Sequence, residues 1–283
     1  MPAAAPSPTG LVKGLVQACH PLPTLAVTVF ATAYALAVGL APERVALLAA
    51  AVLAGQLSIG WLNDGLDAGA DVVAGRADKP VARGDVSRRA VLVGAGVALL
   101  VGLGLGFALG VGPGVAHALV LAGGWAYDLG LKSTPASGVP YLVAFGSLPA
   151  VASTALPGGG WPAAGVVAGS GLLGLAAHFA NTVGDAEADR LTGVRGLPQR
   201  VGPAASMRWT AVLVVLAATA LLTAVDRTGV RGVVAYAVLA AGAGLAVVGG
   251  LGAVRRSRAA GGAAFRSTLA AVALVVAGFL LAA

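Results

Sequence analysis

Two short stretches of the chain repeat one arrangement of amide and carboxylate side chains. The spacing Asn-x3-Asp-x3-Asp occurs once in each half of the sequence, at Asn63, Asp67 and Asp71 and again at Asn181, Asp185 and Asp189. Residues four positions apart lie on the same face of an α-helix. Each trio is therefore predicted to present its three polar side chains on one side of a helix.

Carboxylates stacked at this spacing repel one another, and near hydrocarbon they are costly unless a cation lies between them. Hard oxygen ligands favour Mg²⁺, which commonly binds one or two carboxylates together with the phosphate oxygens of a substrate. Two facing clusters can hold two or more Mg²⁺ ions around one diphosphate and neutralise the charge that grows as the diphosphate leaves. The repeated motif thus predicts metal-assisted chemistry on a diphosphate.

Two other interpretations of the acidic clusters have different consequences. Solvated helix ends that merely close a loop would carry acidic residues, but they have no reason to repeat the same eight-residue spacing. A cation-transport path would also use acidic residues within a membrane protein, and it predicts carboxylates near the middle of the membrane. Here the carboxylates follow the apolar segments rather than interrupt them.

The rest of the chain has too few polar residues to cover a surface in water. Hydrophobic residues make up 58% and charged residues 10% of the 283 positions, whereas soluble domains carry roughly 25% charged residues. Apolar segments near the ~20 residues of a spanning helix recur at roughly 22–40, 44–62, 88–110, 113–130, 138–156, 163–182, 204–225, 230–250 and 264–282. We therefore expect an all-α integral membrane bundle of about nine transmembrane helices.

The charges are distributed unequally between the two predicted faces of this bundle. With nine spans and a cytoplasmic N-terminus, fifteen of the basic residues fall on the cytoplasmic face and three on the other, as the positive-inside rule requires. This bias explains the net charge of +7 without nucleic acid, and no nucleic-acid partner is expected. Both aspartate motifs fall on the cytoplasmic side, so the site is predicted there.

No change in composition divides the chain into two domains. Residues 1–10 are rich in Pro and Ala and are predicted to be a disordered tail, and residues 11–283 form one domain with polar loops at about 63–87 and 183–203. A single cysteine, Cys19, excludes an internal disulfide and a multi-cysteine metal site. Glycines at four-residue spacing, such as Gly102, Gly106 and Gly110, predict tight helix packing.

The motif residues resemble the UbiA superfamily of intramembrane prenyltransferases. The first motif of that family, Asn-Asp-x2-Asp-x3-Asp, is matched by Asn63, Asp64, Asp67 and Asp71, and the basic-Pro stretch that follows it is similar to Lys79–Gly84. The second motif, Asp-x3-Asp-x3-Gly and then a basic residue, is matched by Asp185, Asp189, Gly193 and Arg195. A Tyr followed by Lys after the fourth span resembles Tyr127 and Lys132.

The resemblance implies a helical bundle around a central cavity, capped by polar cytoplasmic loops, and a Mg²⁺-dependent transfer of a prenyl group from a prenyl diphosphate. The metal would be held by Asp67, Asp71, Asp185 and Asp189. The diphosphate would be bound by Asn63, Arg76, Lys79, Arg83, Lys132, Asn181 and Arg195. Tyr127 and Lys132 would act at the reacting carbon, where the ring face of Tyr127 can stabilise a cation. Membrane lipids are the remaining expected partners.

The acceptor of the prenyl group is left open by the sequence. An aromatic acceptor would need a base to remove its proton, for which Asp64 and Asp128 are candidates, although Asp128 can equally be a counter-ion of Lys132. The segment at 193–198 resembles branches that use naphthoate or glyceryl lipid acceptors, but Gly196 replaces the usual Thr or Ser. A terpene cyclase on the same scaffold is the first alternative, and a cation or substrate transporter is a more remote one.

Overall fold

The computed structural model describes residues 8–224, 229–254 and 270–281, and throughout these ranges the regular structure is helical. The helices are α1 (Pro8–Ala18), α2 (Pro21–Ala37), α3 (Pro42–Val73), α4 (Pro80–Arg83), α5 (Arg88–Ala108), α6 (Val111–Asp128), α7 (Val139–Ser153), α8 (Ala164–Thr192), α9 (Leu197–Val201), α10 (Pro203–Leu222), α11 (Gly229–Val254) and α12 (Ala270–Leu281). A short 3₁₀ turn at Leu131–Ser133 follows α6. The all-α prediction is confirmed.

Residues with restricted or unusual backbone conformations mark the helix ends. Pro21, Pro42 and Pro203 each open a helix, where their missing N–H would have had no partner in any case. Ser87 precedes α5 and accepts a hydrogen bond from the backbone N–H of Ala90, which satisfies one of the unpaired donors of the first turn. Gly193 ends α8 in the left-handed conformation with φ of 76°, which glycine adopts at little steric cost.

Each of the nine predicted apolar segments overlaps a helix in the described ranges. By length and apolarity alone, α3, α5, α10, the 164–183 part of α8 and the 229–248 part of α11 can cross a membrane, and α1 with α2 form a pair bent by 65° that can count as a sixth span. The multi-pass character is thus confirmed, and the number nine stays a prediction. Neither α1 nor the bend after it was predicted.

Two helices extend beyond the apolar segments that predicted them. Because α3 has 32 residues and α8 has 29, they are about 48 Å and 43 Å long at 1.5 Å per residue, against about 30 Å of hydrocarbon. The predicted loop at 63–87 therefore starts as helix up to Val73, and the one at 183–203 starts as helix up to Thr192. The N-terminal helix likewise begins at Pro8, inside the predicted tail, of which residues 1–7 lie outside the described ranges.

The helices pack in a closed circle. In chain order α2 packs on α3 and α7, α3 on α5 and α6, α6 on α7, α7 on α8, α8 on α10, and α10 on α11. Phe279 of α12 returns to α2, where its ring stacks on Tyr34 at 5.1 Å. Small residues permit the close approaches: a Cβ on Gly102 would lie 3.2 Å from the backbone nitrogen of Gly55, and one on Gly106 would lie 3.0 Å from His117. The predicted glycine packing is confirmed at these two positions.

Candidate active site

The first aspartate motif occupies the last three turns of α3. Asn63, Asp67 and Asp71 all line one cavity of about 740 Å³, as their four-residue spacing predicts. Asp64 is different: it is 1% exposed, it is not part of the cavity lining, and Lys79 donates a hydrogen bond to its Oδ1 at 2.9 Å. Its position inside the protein disfavours Asp64 as a base that contacts an acceptor.

Lys132 lies beside the first motif, although it is distant in sequence. Its Nζ lies 2.5 Å and 2.6 Å from the two carboxylate oxygens of Asp67. The Asn63 amide donates to Asp67 Oδ2 at 3.1 Å and to Asp128 Oδ1 at 3.0 Å. Asp128 thus pairs by hydrogen bond with Asn63, and Lys132 pairs with Asp67. The Lys132 ammonium is still close enough to act on the charge of Asp128, so the interpretation of Asp128 as a counter-ion of Lys132 stays open.

Lys79 connects the loop after α3 to the junction of α1 and α2. Its Nζ hydrogen-bonds Asp64 and also His20 Nε2 at 3.1 Å. A positive φ is uncommon for a residue other than glycine, and among the described residues His20, with φ of 54°, is the one such case. Both Lys79 and His20 line the cavity, so this loop contributes a cation to the same space as the carboxylates.

The two arginines predicted to bind diphosphate in this loop have different surroundings. Arg76 lines the cavity and donates to both carboxylate oxygens of Asp78, at 2.9 Å and 2.8 Å. These hydrogen bonds lower the pKa of Asp78 to about 2. Arg83 is not among the cavity-lining residues, and it donates to Asp85 at 2.5 Å and to Gln17 at 2.8 Å.

The second aspartate motif lies on the C-terminal half of α8. Asn181 and Asp189 line the cavity, and Gln199 donates to Asp189 Oδ2 at 2.7 Å. The side chain of Asp185 lies outside the described part of the structure. Arg195 is absent from the cavity lining, and its carbonyl accepts a hydrogen bond from Arg200. The two motifs therefore meet at one cavity through Asp67, Asp71 and Asp189.

An aromatic wall adjoins the polar groups. Tyr127 and Tyr141 both line the cavity, and their rings meet edge to face at 5.2 Å. The ring of His178 stacks on Tyr141 at 4.7 Å and meets Tyr127 at 5.5 Å. Ser137 supports this wall, because its hydroxyl bonds His178 Nε2 at 2.9 Å and accepts the backbone N–H of Leu197 at 2.8 Å.

Apolar residues continue the cavity beyond this wall. Phe145 stacks on Tyr141 with ring centroids 6.1 Å apart, and Val27, Val120 and Leu148 line the space further from the aspartates. The cavity thus has a charged end and a mainly apolar end, at which Gln56 is a polar exception. The two tyrosines lie between these ends. Such a space suits an amphiphilic molecule with an anionic head and a hydrocarbon tail.

The sequence profile of the UbiA prenyltransferase family matches residues 24–272, which is most of the chain. The chain belongs to the UbiA family. No curated protein is similar enough in sequence to count as a relative.

Solved structures of other proteins share the fold of this UbiA-family chain. A digeranylgeranylglyceryl phosphate synthase has a TM-score of 0.74 at 15% identity, covering 96% of this chain and 98% of its own. A UbiA homologue from Archaeoglobus fulgidus bound to DMAPP and Mg²⁺ has a TM-score of 0.71 at 13% identity, covering 94% and 97%. The same homologue bound to GPP and Mg²⁺ has a TM-score of 0.70 at 16% identity, covering 94% and 98%.

The donor set of this UbiA-family site fits a hard divalent cation. Within the described residues no three His, Cys, Asp or Glu side chains form a ready metal cluster. Mg²⁺ does not require one, because it retains waters and shares substrate phosphate oxygens. Asp71 Oδ2 and Asp128 Oδ2 are buried without a hydrogen-bond partner, although buried carboxylate oxygens are normally paired. A cation between the motifs would satisfy such oxygens.

Sequence reasoning did not identify three residues that contribute to the cavity. Tyr141 and Phe145 belong to the fifth apolar segment. The sequence of that segment does not distinguish an aromatic residue that lines a cavity from one that packs between helices. Gln199, which orients Asp189, is one of many polar residues in the second polar loop. For Tyr141, the sequence signal that could have been used is its place directly after Pro140, at the start of a span.

Proposed function

We propose that this UbiA-family chain transfers a prenyl group from a magnesium-bound prenyl diphosphate to an acceptor within the membrane. The observation that carries the proposal is the continuity of one cavity, from the carboxylates and cations at one end to the apolar lining at the other. The structures of the Archaeoglobus fulgidus homologue with DMAPP or GPP and Mg²⁺ support it.

Asp67, Asp71 and Asp189 would hold the metal, together with Asp185. When bound, Mg²⁺ would neutralise the charge on the diphosphate and so make it a better leaving group. Asn63 and Asn181 would contribute amide groups beside the same carboxylates. The location of these residues near the ends of α3 and α8, rather than at mid-helix, argues against the transport alternative.

Lys132, Lys79 and Arg76 would bind the phosphate oxygens, since all three line the charged end of the cavity. Arg83 and Arg195 would not take this role, because neither lines the cavity. His20 and Asp64 would hold Lys79 in place through the hydrogen bonds described above. An ammonium group tolerates many approach directions, so two lysines can follow a diphosphate as it departs.

The bond between C1 of the prenyl chain and the diphosphate oxygen would break, and its electron pair would leave with the diphosphate. The ring faces of Tyr127 and Tyr141 would stabilise the allylic cation, and the apolar lining would exclude water from it. A nucleophilic atom of the acceptor would then bond to C1. Where the acceptor loses a proton, Asp128 would be the base in place of Asp64, because Asp128 lines the cavity and Asp64 does not.

The cytoplasmic side is the proposed location of both the active site and the N-terminus. The charge asymmetry of the sequence supports this orientation, and the two aspartate motifs, Tyr127 and Lys132 all lie at the same end of their helices. The test introduces a cysteine at the exposed position Lys13 in a Cys19→Ala background and probes it with a membrane-impermeant thiol reagent. Labelling from the outside alone would contradict the proposed orientation.

The test of function uses the protein in lipid nanodiscs with Mg²⁺, prenyl diphosphates and a panel of phenolic, naphtholic and glyceryl acceptors. We expect diphosphate release and a product whose mass contains both parts. Asp67→Asn and Asp189→Asn should each reduce release by about 100-fold or more. Glu43→Gln is the matched control, because it removes a carboxylate at the opposite end of α3.

Three results would contradict the proposal in different ways. Release that is unaffected by Asp67→Asn and Asp189→Asn would remove the site. A product that lacks acceptor atoms would indicate a cyclase. Cation flux in liposomes without any diphosphate release would indicate a transporter.

A further inference from the structure

The apolar end of the cavity has a definite depth on every helix that surrounds it. The last lining residue is Val27 on α2, Gln56 on α3, Val120 on α6, Leu148 on α7 and Ala177 on α8. On each helix these are the lining residues furthest from the charged end. The cavity therefore stops at a similar level on five helices.

One helical turn beyond that level, the interior is filled. Residues four positions further lie on the same helix faces, and they are Ala31, Val52, Ala116, Ala152 and Leu173. Their exposed fractions are 4%, 0%, 0%, 2% and 8%, and all five belong to the main hydrophobic core. We call these five residues the floor. They belong to the filled interior just beyond the cavity, where packing at core density opposes the entry of a longer chain.

The distance from the aromatic wall to the deepest lining residues can be measured along two helices. Tyr141 and Leu148 are seven residues apart on α7, and Tyr127 and Val120 are seven residues apart on α6. Seven residues of α-helix rise about 10 Å. Two independent helices thus give the same depth.

This depth corresponds to a defined length of hydrocarbon. Four carbon–carbon bonds of about 1.5 Å each make an extended isoprene unit about 5 Å long. A five-carbon chain would leave half of the apolar space empty, and a fifteen- or twenty-carbon chain would have to pass through the floor. A ten-carbon chain reaches from the tyrosines to Leu148.

We propose that the site selects a ten-carbon, geranyl-type diphosphate, and that Leu148 and Val120 set the upper limit of chain length. The inference rests on the proposed function, because it assigns the prenyl tail to the apolar end of the same cavity. It goes beyond that function by naming the substrate class and the residues that select it. Neither residue contacts the diphosphate end.

The experiment measures diphosphate release by the protein in nanodiscs with Mg²⁺ and dimethylallyl, geranyl, farnesyl or geranylgeranyl diphosphate. Binding of the non-reactive thiolo-diphosphate analogue of each length is measured in parallel by thermal shift. We expect kcat/KM to be highest for the ten-carbon substrate. It should be at least about tenfold lower for the fifteen- and twenty-carbon ones, because even one extra methylene in a filled pocket is discriminated by about that factor.

Substitution of the deepest lining residues should change this preference. Leu148→Ala is expected to move the optimum to the fifteen-carbon chain, and Val120→Ala is a second variant should the first fail to fold. Leu142→Ala is the control, because Leu142 lies on the same helix but is exposed and outside the cavity lining. It should leave the preference unchanged.

Different outcomes refute different claims. Equal use of ten- and twenty-carbon substrates by the wild type, or the same shift in Leu148→Ala and Leu142→Ala, would overturn the assignment of the floor while the proposed function stands. Failure of every analogue to bind would refute the proposed function, and this inference with it.

Discussion

Lys132 and magnesium are predicted to compete for the carboxylate of Asp67. The Lys132 ammonium lies at hydrogen-bond distance from both oxygens of that carboxylate, so a metal ion that binds there must displace it. Lys132→Met keeps a long unbranched side chain and removes the charge. In the absence of diphosphate the variant should bind the metal more tightly than the wild type, and in its presence it should bind diphosphate more weakly.

The size of the first effect follows from the exposure of the pair. Exposed ion pairs contribute about 0.2–1 kcal/mol and hydrogen bonds to charged groups about 1.5–3 kcal/mol. The side chains of Lys132 and Asp67 are 14% and 30% exposed, which places the pair between these limits, at about 1 kcal/mol, or roughly fivefold in metal affinity. The lost phosphate contact should weaken diphosphate binding by about 10- to 150-fold.

Calorimetric titration of Mg²⁺ into the protein in nanodiscs, with electron paramagnetic resonance of Mn²⁺ as a second probe, measures the change. Lys79→Met is the matched control, because Lys79 pairs with Asp64 and its loss removes the same charge from a different carboxylate. The control should show a smaller gain in metal affinity. An equal gain in both variants, or weaker metal binding in Lys132→Met, would refute direct competition at Asp67.

Three further predictions concern packing, the reacting carbon and pH. Gly60→Ala should destabilise the protein by about 1–3 kcal/mol in thermal unfolding, because the new Cβ would meet the backbone at the α1–α2 junction. Gly69 has open space around it, so Gly69→Ala should leave the stability unchanged. Tyr127→Phe should keep most of the wild-type kcat and Tyr127→Ala should lose about 2- to 30-fold, since a cation over a ring gains about 0.5–2 kcal/mol; equal losses in the two would count against the ring face. Because Arg76 lowers the pKa of Asp78 to about 2 from 3.8, the stability from this pair is fully present above the unfolded pKa and is lost as the pH falls through about 2. The difference in Tm between the wild type and Asp78→Asn should thus be constant at neutral and mildly acidic pH and disappear in strong acid, and a difference that changes near pH 6 would contradict it.

The sequence was informative wherever a periodic pattern decides which side chains share a face. The four-residue spacing placed Asn63, Asp67 and Asp71 on one face of α3, and the structure brings all three to the cavity. The apolar segments located the starts of α3, α5, α6, α7, α8, α10 and α11 within a few residues. Two segments, 44–62 and 163–182, ended about ten residues before the helices end at Val73 and Thr192, because charge interrupts an apolar pattern but does not interrupt a helix.

Contacts between distant parts of the chain could not be predicted in the same way. Asp64 and Asp128 were both candidates for a base in the sequence. Both are buried in the structure, and only the packing of the helices shows that Asp128 lines the cavity and Asp64 does not. The support of the aromatic wall by Ser137, which links His178 to the backbone of Leu197, joins segments about 40 and 60 residues apart. No local spacing encodes that link.

The course of α7 along the cavity has a consequence for how chain-length preference can evolve. One turn of an α-helix rises about 5.4 Å, which is close to the length of one isoprene unit. Successive turns at Tyr141, Ala144 and Leu148 therefore lie at intervals of about one isoprene unit along the cavity. A smaller side chain at Leu148 would lengthen the accepted isoprenoid by about one unit, and a larger one at Ala144 would shorten it. Either exchange would leave the charged end of the cavity unchanged.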